Sequence, residues 1–183
     1  VEAFDSWDKL LTAEISQIAS IISRGGLGQI KAQRIQQALW GIKNKRGKID
    51  LNFLIDLSVP EAQEWLKQLP GVGNKTANCV LLFALGKPAL PVDTHIFRVS
   101  KRLALIDGKA SLDDAHRLLG ALVPADDVYE FHVLMIEHGR RICTAQKPRC
   151  PQCPLREICP SSQTYIQNQN TTRQSVRPDK GVQ

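Results

Sequence analysis

Apolar residues recur with helical period through most of this chain. Ala32, Ile35, Ala38, Leu39 and Ile42 share one face of a helix predicted over residues 30–45, and Lys31, Arg34, Lys43 and Lys45 share the other. Residues 51–57 form a short apolar segment, and Pro60 suits the first turn of a helix running to about Gln68. Residues 75–85 are almost wholly apolar, which predicts a buried helix that includes Leu81, Leu82 and Phe83. From Thr94 to Leu105 the pattern turns Ile96, Val99 and Leu103 inward and Arg98, Lys101 and Arg102 outward. Ser111, followed by Leu112, Asp113 and Asp114, reads as a helix cap with acids in the first turn. Val128, Phe131 and Met135 mark a further helix. No stretch alternates as a half-buried strand would, and no internal repeat is visible, so the expected fold is all-α. Residues 161–183 are polar, with few large apolar groups, and are expected to form a flexible tail.

Composition narrows the partners. The 183 residues suffice for one sizeable core or two small ones. No apolar run approaches a membrane span, and no secretory signal is visible, although the chain begins at Val1 without a methionine. A net charge of +6 and a pI near 9.2 suit nucleic acid or an anionic membrane surface. Four of the five cysteines crowd together as Cys143, Cys150, Cys153 and Cys159, spaced C-x6-C-x2-C-x5-C. Cys79 stands alone in an apolar run and reads as a core residue. Such crowding means a metal, a cluster or a disulfide knot. A knot suits a small secreted domain with few helices, so thiolate ligation is favoured. Four thiolates without a nearby histidine suit a [4Fe–4S] cluster as well as zinc.

The stretch "LPGVGNKTAN", residues 69–78, places a helix end at Leu69, a turn Pro70-Gly71-Val72-Gly73 and a new helix from about Asn74. Its glycines allow positive φ and close approach of another backbone. The turn amides and the new helix start can hold an anion, and a DNA phosphate is the natural guest. A plain helix connection with no ligand is the alternative reading.

Three signatures together resemble one family. "LPGVGNKTA" followed by "PALPVDTHIFRVSKRL" is similar to the helix-hairpin-helix and Gly/Pro-Asp segment of the endonuclease III family of DNA glycosylases, and "HGRRICTAQKPRCPQCPLREICP" to its iron–sulfur loop. The resemblance runs from about Gly25 to Pro160. It implies a [4Fe–4S] cofactor held by Cys143, Cys150, Cys153 and Cys159. It also implies two helical subdomains with a DNA-binding cleft between them: a helix-hairpin-helix barrel over 1–87 and a cluster domain over 88–160, before the tail. The motif puts the family's catalytic lysine at Lys75 and its catalytic aspartate at Asp93. Leu69, Gly71, Val72 and Gly73 then meet DNA through the hairpin. Lys147 and Arg149, two cations on a short loop pinned between cluster cysteines, read as phosphate contacts, with a solvated charge pair as the alternative.

Chemistry supports those roles. A neutral lysine amine can attack C1′ of a damaged nucleotide and form a Schiff base with the sugar, after which β-elimination cuts the strand. An aspartate can stabilise the positive sugar and assist proton transfer, though Asp93 also suits a helix cap before Thr94. The implied substrate is double-stranded DNA carrying a damaged base, an oxidised pyrimidine, or an abasic site; the base is flipped out for the reaction. A glycosylase that uses only water needs no amine here, and the adenine glycosylase relatives carry another residue, so Lys75 points to combined glycosylase and lyase action. A monofunctional glycosylase and a non-catalytic DNA-binding module are the rivals. His95 reads as a packed histidine, and His132 and His138 receive no role. The expected protein is a cytoplasmic monomer, nucleoid-associated in a prokaryote, without membrane contact. In the family a stretch of roughly fifty residues precedes the point matching Val1, including the first helices and a segment that fills the gap left by the flipped base. The barrel is therefore expected to be N-terminally incomplete here, and this chain less stable and less active than one with those helices restored.

Overall fold

A computed structural model describes residues 2–23 and 26–167. All regular structure among the described residues is helical. Helices that the described residues contain in full are, in order, α1 (Trp7–Thr12), α2 (Ile15–Ile21), α3 (Gly28–Arg46), α4 (Val59–Lys67), α5 (Asn74–Cys79), α6 (Thr94–Arg102), α7 (Leu112–Leu122) and α8 (Val128–Arg141). The chain divides into two compact units, Val1–Ala89 and Leu90–Gln183.

In the first unit α3 is the longest element. Ala32, Leu39 and Ile42 bury its apolar stripe. It stops where Gly47 takes φ +75° and donates its N–H to the Lys43 carbonyl at 2.7 Å, with Lys43, Lys45 and Arg46 in the negative last turn. Helices α1 and α2 pack on α3 through Leu10, Leu11, Ile18 and Ala19. A Cβ on Gly28 would stand 2.9 Å from the Ala19 carbonyl oxygen, so glycine is needed where α2 meets α3. These two helices lie outside the elements read from the sequence. Their signals are the Ser6 side chain, which accepts from Lys9 N–H, and the period of Ile15, Ile18 and Ile22. A capping box of Ser58 and Glu61 starts α4, with Pro60 in its first turn. Ala62 and Leu66 then face the core with Leu54, Ala77 and Leu81.

The apolar run after the hairpin does not stay α-helical. It passes into a π-helix over Val80–Ala84. Leu81 and Leu82 are buried as expected, but Phe83 is 52% exposed. The buried face of this segment is set by Ala77, Asn78, Leu81 and Leu82, and Phe83 stands on the opposite side, while Leu85 returns to the core.

In the second unit α6 packs on α8, with Ile96, Val99 and Met135 buried. Another capping box, Ser111 with Asp114, opens α7. The polar segment from 161 onward differs from the expected tail at its start. Residues 162–167 are helical, Ser162 is buried, and the Tyr165 ring lies under the Arg102 guanidinium at 4.5 Å. Hydrogen bonds tie it down: Ser161 Oγ donates to the Arg102 carbonyl at 2.9 Å and Ser162 Oγ to the Arg156 carbonyl at 3.0 Å. The rest of the predicted tail lies outside the described residues.

Candidate functional site

The hairpin between α4 and α5 is a tight turn. Val72 N–H donates to the Leu69 carbonyl at 3.1 Å, and Gly71 sits at φ +76°, the left-handed region that a Pro-Gly turn needs in its third position. Gly73 is extended and caps α5, whose first bond runs from Ala77 N–H to the Gly73 carbonyl at 3.0 Å. Gly71 and Gly73 are exposed, and Val72 is half-buried against the core. The Leu69 side chain is 4% exposed and packs in the first core, which leaves its main chain for a partner. Lys75, the second residue of α5, is exposed, and its ammonium has no hydrogen bond or ion pair among the described residues. One turn on, buried Asn78 accepts a 2.6 Å hydrogen bond from Gln63 Nε2 of α4, which anchors the helix that carries Lys75.

Asp93 opens α6 in the second unit. Its Oδ1 accepts from His95 N–H at 2.9 Å and Ile96 N–H at 2.8 Å. Its Oδ2 makes no hydrogen bond among the described residues. One oxygen therefore serves the helix cap while the other stays open, and the carboxylate has capacity for both tasks. His95 lies beside α8: a Cβ on Gly139 would be 2.9 Å from its own Cβ, and its Nδ1 is 3.2 Å from Arg98 Nη2. His132 is buried, its Nδ1 2.9 Å from the Pro91 carbonyl, which is a structural contact.

Cys143, Cys150, Cys153 and Cys159 line one cavity. Burial pushes the Cys150 thiol up, and the other three cysteines push it further. Sulfurs that oppose each other's ionisation suit a cationic guest. Four thiols gathered at one cavity match the ligand count of a single [4Fe–4S] cluster, so the donor set fits that group.

The surroundings of that cavity were not visible in the helical pattern. Arg98 and Arg102, which the period turns outward, reach back to the cysteine loop. Arg98 Nε donates to the Cys143 carbonyl at 3.1 Å and its Nη2 to the Gly139 carbonyl at 2.8 Å. Arg102 donates to the carbonyls of Thr144 at 2.7 Å and Ala145 at 2.8 Å, and to Cys143 Sγ at 3.3 Å. Its own carbonyl lies 3.5 Å from Cys159 Sγ, so Arg102 touches the first and last cysteines. Burial alone would lower the Arg102 pKa, but its bond to Cys143 and the charge there outweigh this and raise it. The two arginines are long enough to satisfy loop carbonyls that no strand or helix pairs. A histidine also stands close to the four thiols, which their spacing in sequence did not bring out. His138 Nε2 is 3.8 Å from Cys153 Sγ, and burial lowers its pKa. Its place near the end of α8, just ahead of Cys143, was the available signal.

Lys147 and Arg149 are exposed on the loop between Cys143 and Cys150. That loop is pinned by Thr144 Oγ1 donating to the Lys147 carbonyl at 2.8 Å and by Arg149 N–H donating to the Ile142 carbonyl at 2.9 Å. No helix of the described residues is long and apolar enough to cross a membrane.

Comparison with known proteins agrees with this geometry. Residues 143–159 match the family described as the iron-sulfur binding domain of endonuclease III. The chain is 38% identical to endonuclease III of Bacillus subtilis, over 84% of this chain and 66% of that protein. It is 35% identical to endonuclease III of Thermotoga maritima, over 86% of this chain and 70% of that one. A solved endonuclease III trapped as a covalent intermediate with DNA superposes with a TM-score of 0.71 at 32% identity, over 90% of this chain and 75% of that one. The chain spans no more than about two thirds of the length of the first curated relatives it matches. On sequence, fold and cysteine site together, the chain belongs to the endonuclease III family, and its cofactor is a [4Fe–4S] cluster.

Proposed function

We propose that this chain removes a damaged base, an oxidised pyrimidine, from double-stranded DNA and then cuts the strand at the resulting abasic site. It does so as a monomer in the compartment that holds the DNA, which in a prokaryote is the cytoplasm with its nucleoid. The observation that carries the reading is Lys75: an exposed amine without a protein partner, one residue inside the helix that follows the hairpin. It occurs in a family with a solved member trapped covalently on DNA.

The hairpin amides and Gly73 receive the DNA backbone, and Lys147 and Arg149 add phosphate contacts that position the duplex without reading its sequence. The target nucleotide is flipped out of the stack. The unprotonated Nζ of Lys75 attacks C1′. The glycosidic C–N bond breaks, and the base leaves with the electron pair and takes up a proton. The open Oδ2 of Asp93 supports the positive charge on the sugar and moves protons. Ring opening gives a Schiff base between Lys75 and C1′. Loss of a proton from C2′ then expels the 3′ phosphate, and water hydrolyses the imine to return the amine. Cys143, Cys150, Cys153 and Cys159 hold the cluster, which when bound offsets their negative charge and fastens the loop that carries Lys147 and Arg149.

Borohydride trapping on an abasic duplex tests this reading, because only a Schiff-base former becomes covalently attached. The chain should trap, and Lys75→Gln should not, while keeping its affinity for abasic DNA. Undiminished trapping by Lys75→Gln would assign the chemistry to another amine. Base release without trapping by the parent would make it a monofunctional glycosylase.

A further inference from the structure

Two glycines set how the hairpin lies on α3. A Cβ on Gly41 of α3 would stand 3.0 Å from a Leu69 methyl and 3.3 Å from Pro70 Cδ. A Cβ on Gly71 of the turn would stand 3.4 to 3.6 Å from Cγ, Cδ and Cβ of Arg34. Arg34 and Gly41 lie two turns apart on one face of α3, so the turn is laid along that face and the stem of Arg34 runs beside it. Further along this helix Lys43 pairs with Asp8 at 2.6 Å, and Lys45 donates to Gln68 Oε1 at 3.0 Å. Arg34 is exposed and makes no hydrogen bond or ion pair among the described residues. Its methylenes are packed and its guanidinium is unengaged, beside a turn in which Gly71 and Gly73 are also exposed. Part of the rotamer freedom that a ligand contact would cost has already been given up.

We propose that Arg34 holds a backbone phosphate of the DNA that the hairpin receives. The inference rests on the DNA-binding reading above and adds a residue from another helix to that surface. A planar guanidinium matches two phosphate oxygens at once, which a lysine cannot do. The contact positions the duplex and does not read its bases. It also gives Gly71 a second task, since the glycine lets the Arg34 stem lie against the turn.

Arg34→Met keeps the stem and removes the charge; Arg34→Lys keeps the charge and removes the fork. Both are compared with the parent by fluorescence anisotropy on an undamaged and an abasic duplex across a salt series, with thermal unfolding alongside. Arg34→Met should weaken both duplexes by the same factor, about tenfold at low salt. It should reduce the slope of log K against log salt by about 0.9, the share of one phosphate. Its melting temperature should match the parent's. Arg34→Lys should restore the slope but only part of the affinity. A parent that binds DNA while Arg34→Met keeps the full slope overturns the role of Arg34 alone. A lowered melting point with unchanged slope makes Arg34 structural and also overturns it. A parent that binds neither duplex overturns the DNA-binding reading and this inference together.

Discussion

Alanine at Gly71 and at Gly73, one at a time, separates the folding of the hairpin from its use. Gly71 sits at φ +76°, where a Cβ collides with its own backbone, and this costs about 1–2 kcal/mol. The added methyl would meet the Arg34 stem at 3.4 Å, and that stem is flexible enough to give way at little further cost. Gly73 differs in both respects. Its φ of −101° and ψ of −177° suit any residue, and a Cβ there would find nothing within 4 Å. Alanine is a poorer cap than glycine by a few tenths of a kcal/mol, but it lowers the entropy of the unfolded chain by about 0.4–1 kcal/mol. The two nearly cancel. For a chain of this size a kcal/mol shifts the melting point by about 2–4 °C. Gly71→Ala should therefore melt about 2–8 °C below the parent, and Gly73→Ala within about 2 °C of it. DNA affinity should behave otherwise. The Gly73 methyl points into open space at the mouth of the hairpin, where a phosphate must come to reach the amides. Both variants should bind duplex DNA about tenfold more weakly, roughly the loss of one charge-assisted hydrogen bond. Thermal melts and anisotropy on one duplex, run side by side, measure both quantities. Full affinity in Gly73→Ala would refute phosphate binding at the hairpin, and a large fall in its melting point would refute the reading of an unstrained, open position.

Three further outcomes are expected. Gly139→Ala should destabilise the second unit by about 1–3 kcal/mol in urea unfolding, because its Cβ would lie 2.9 Å from that of His95 and α6 must shift to admit it; the same shift moves the Asp93 cap, so cleavage should slow as well. Arg102→Met should release iron to a chelator faster than the parent, followed by loss of visible absorbance, since Arg102 bonds both loop carbonyls and Cys143 Sγ. Ser58 hydrogen bonds hold the Glu61 carboxyl below its ordinary 4.5, so its contribution to α4 is present above that pH and lost as pH falls through the lower folded value; Glu61→Gln should flatten the acid limb of the stability profile there.

Local order was largely legible in the chain itself. Helical period and first-turn residues placed α3, α4, α6, α7 and α8 because each signal acts within one or two turns, as Pro60 does in α4 and Ser111 with Asp113 and Asp114 does in α7. The hairpin was legible for a similar reason, since a Pro-Gly pair leaves few turns open and fixes where the next helix begins, with Lys75 as its second residue. The four cysteines announced a shared site through spacing alone, and the family comparison then chose iron–sulfur over zinc.

Tertiary structure decided what a side chain does once its helix is placed. Leu69 sits in the hairpin motif yet closes a core, because Gly41 lets α3 approach it. Phe83 continues an apolar run yet faces outward, because the core lies against Ala77, Asn78, Leu81 and Leu82 on the other side of its helix. Arg98 and Arg102 lie on the polar face by period, but their long side chains return to unpaired carbonyls of a loop more than forty residues away, at separations of 45 and 42 residues. The start of the polar tail becomes helix because Ser161 and Tyr165 find Arg102. Each of these outcomes depends on a partner distant in sequence. Periodicity is a property of neighbours along the chain, and it says which face a residue occupies but not what will come to cover that face.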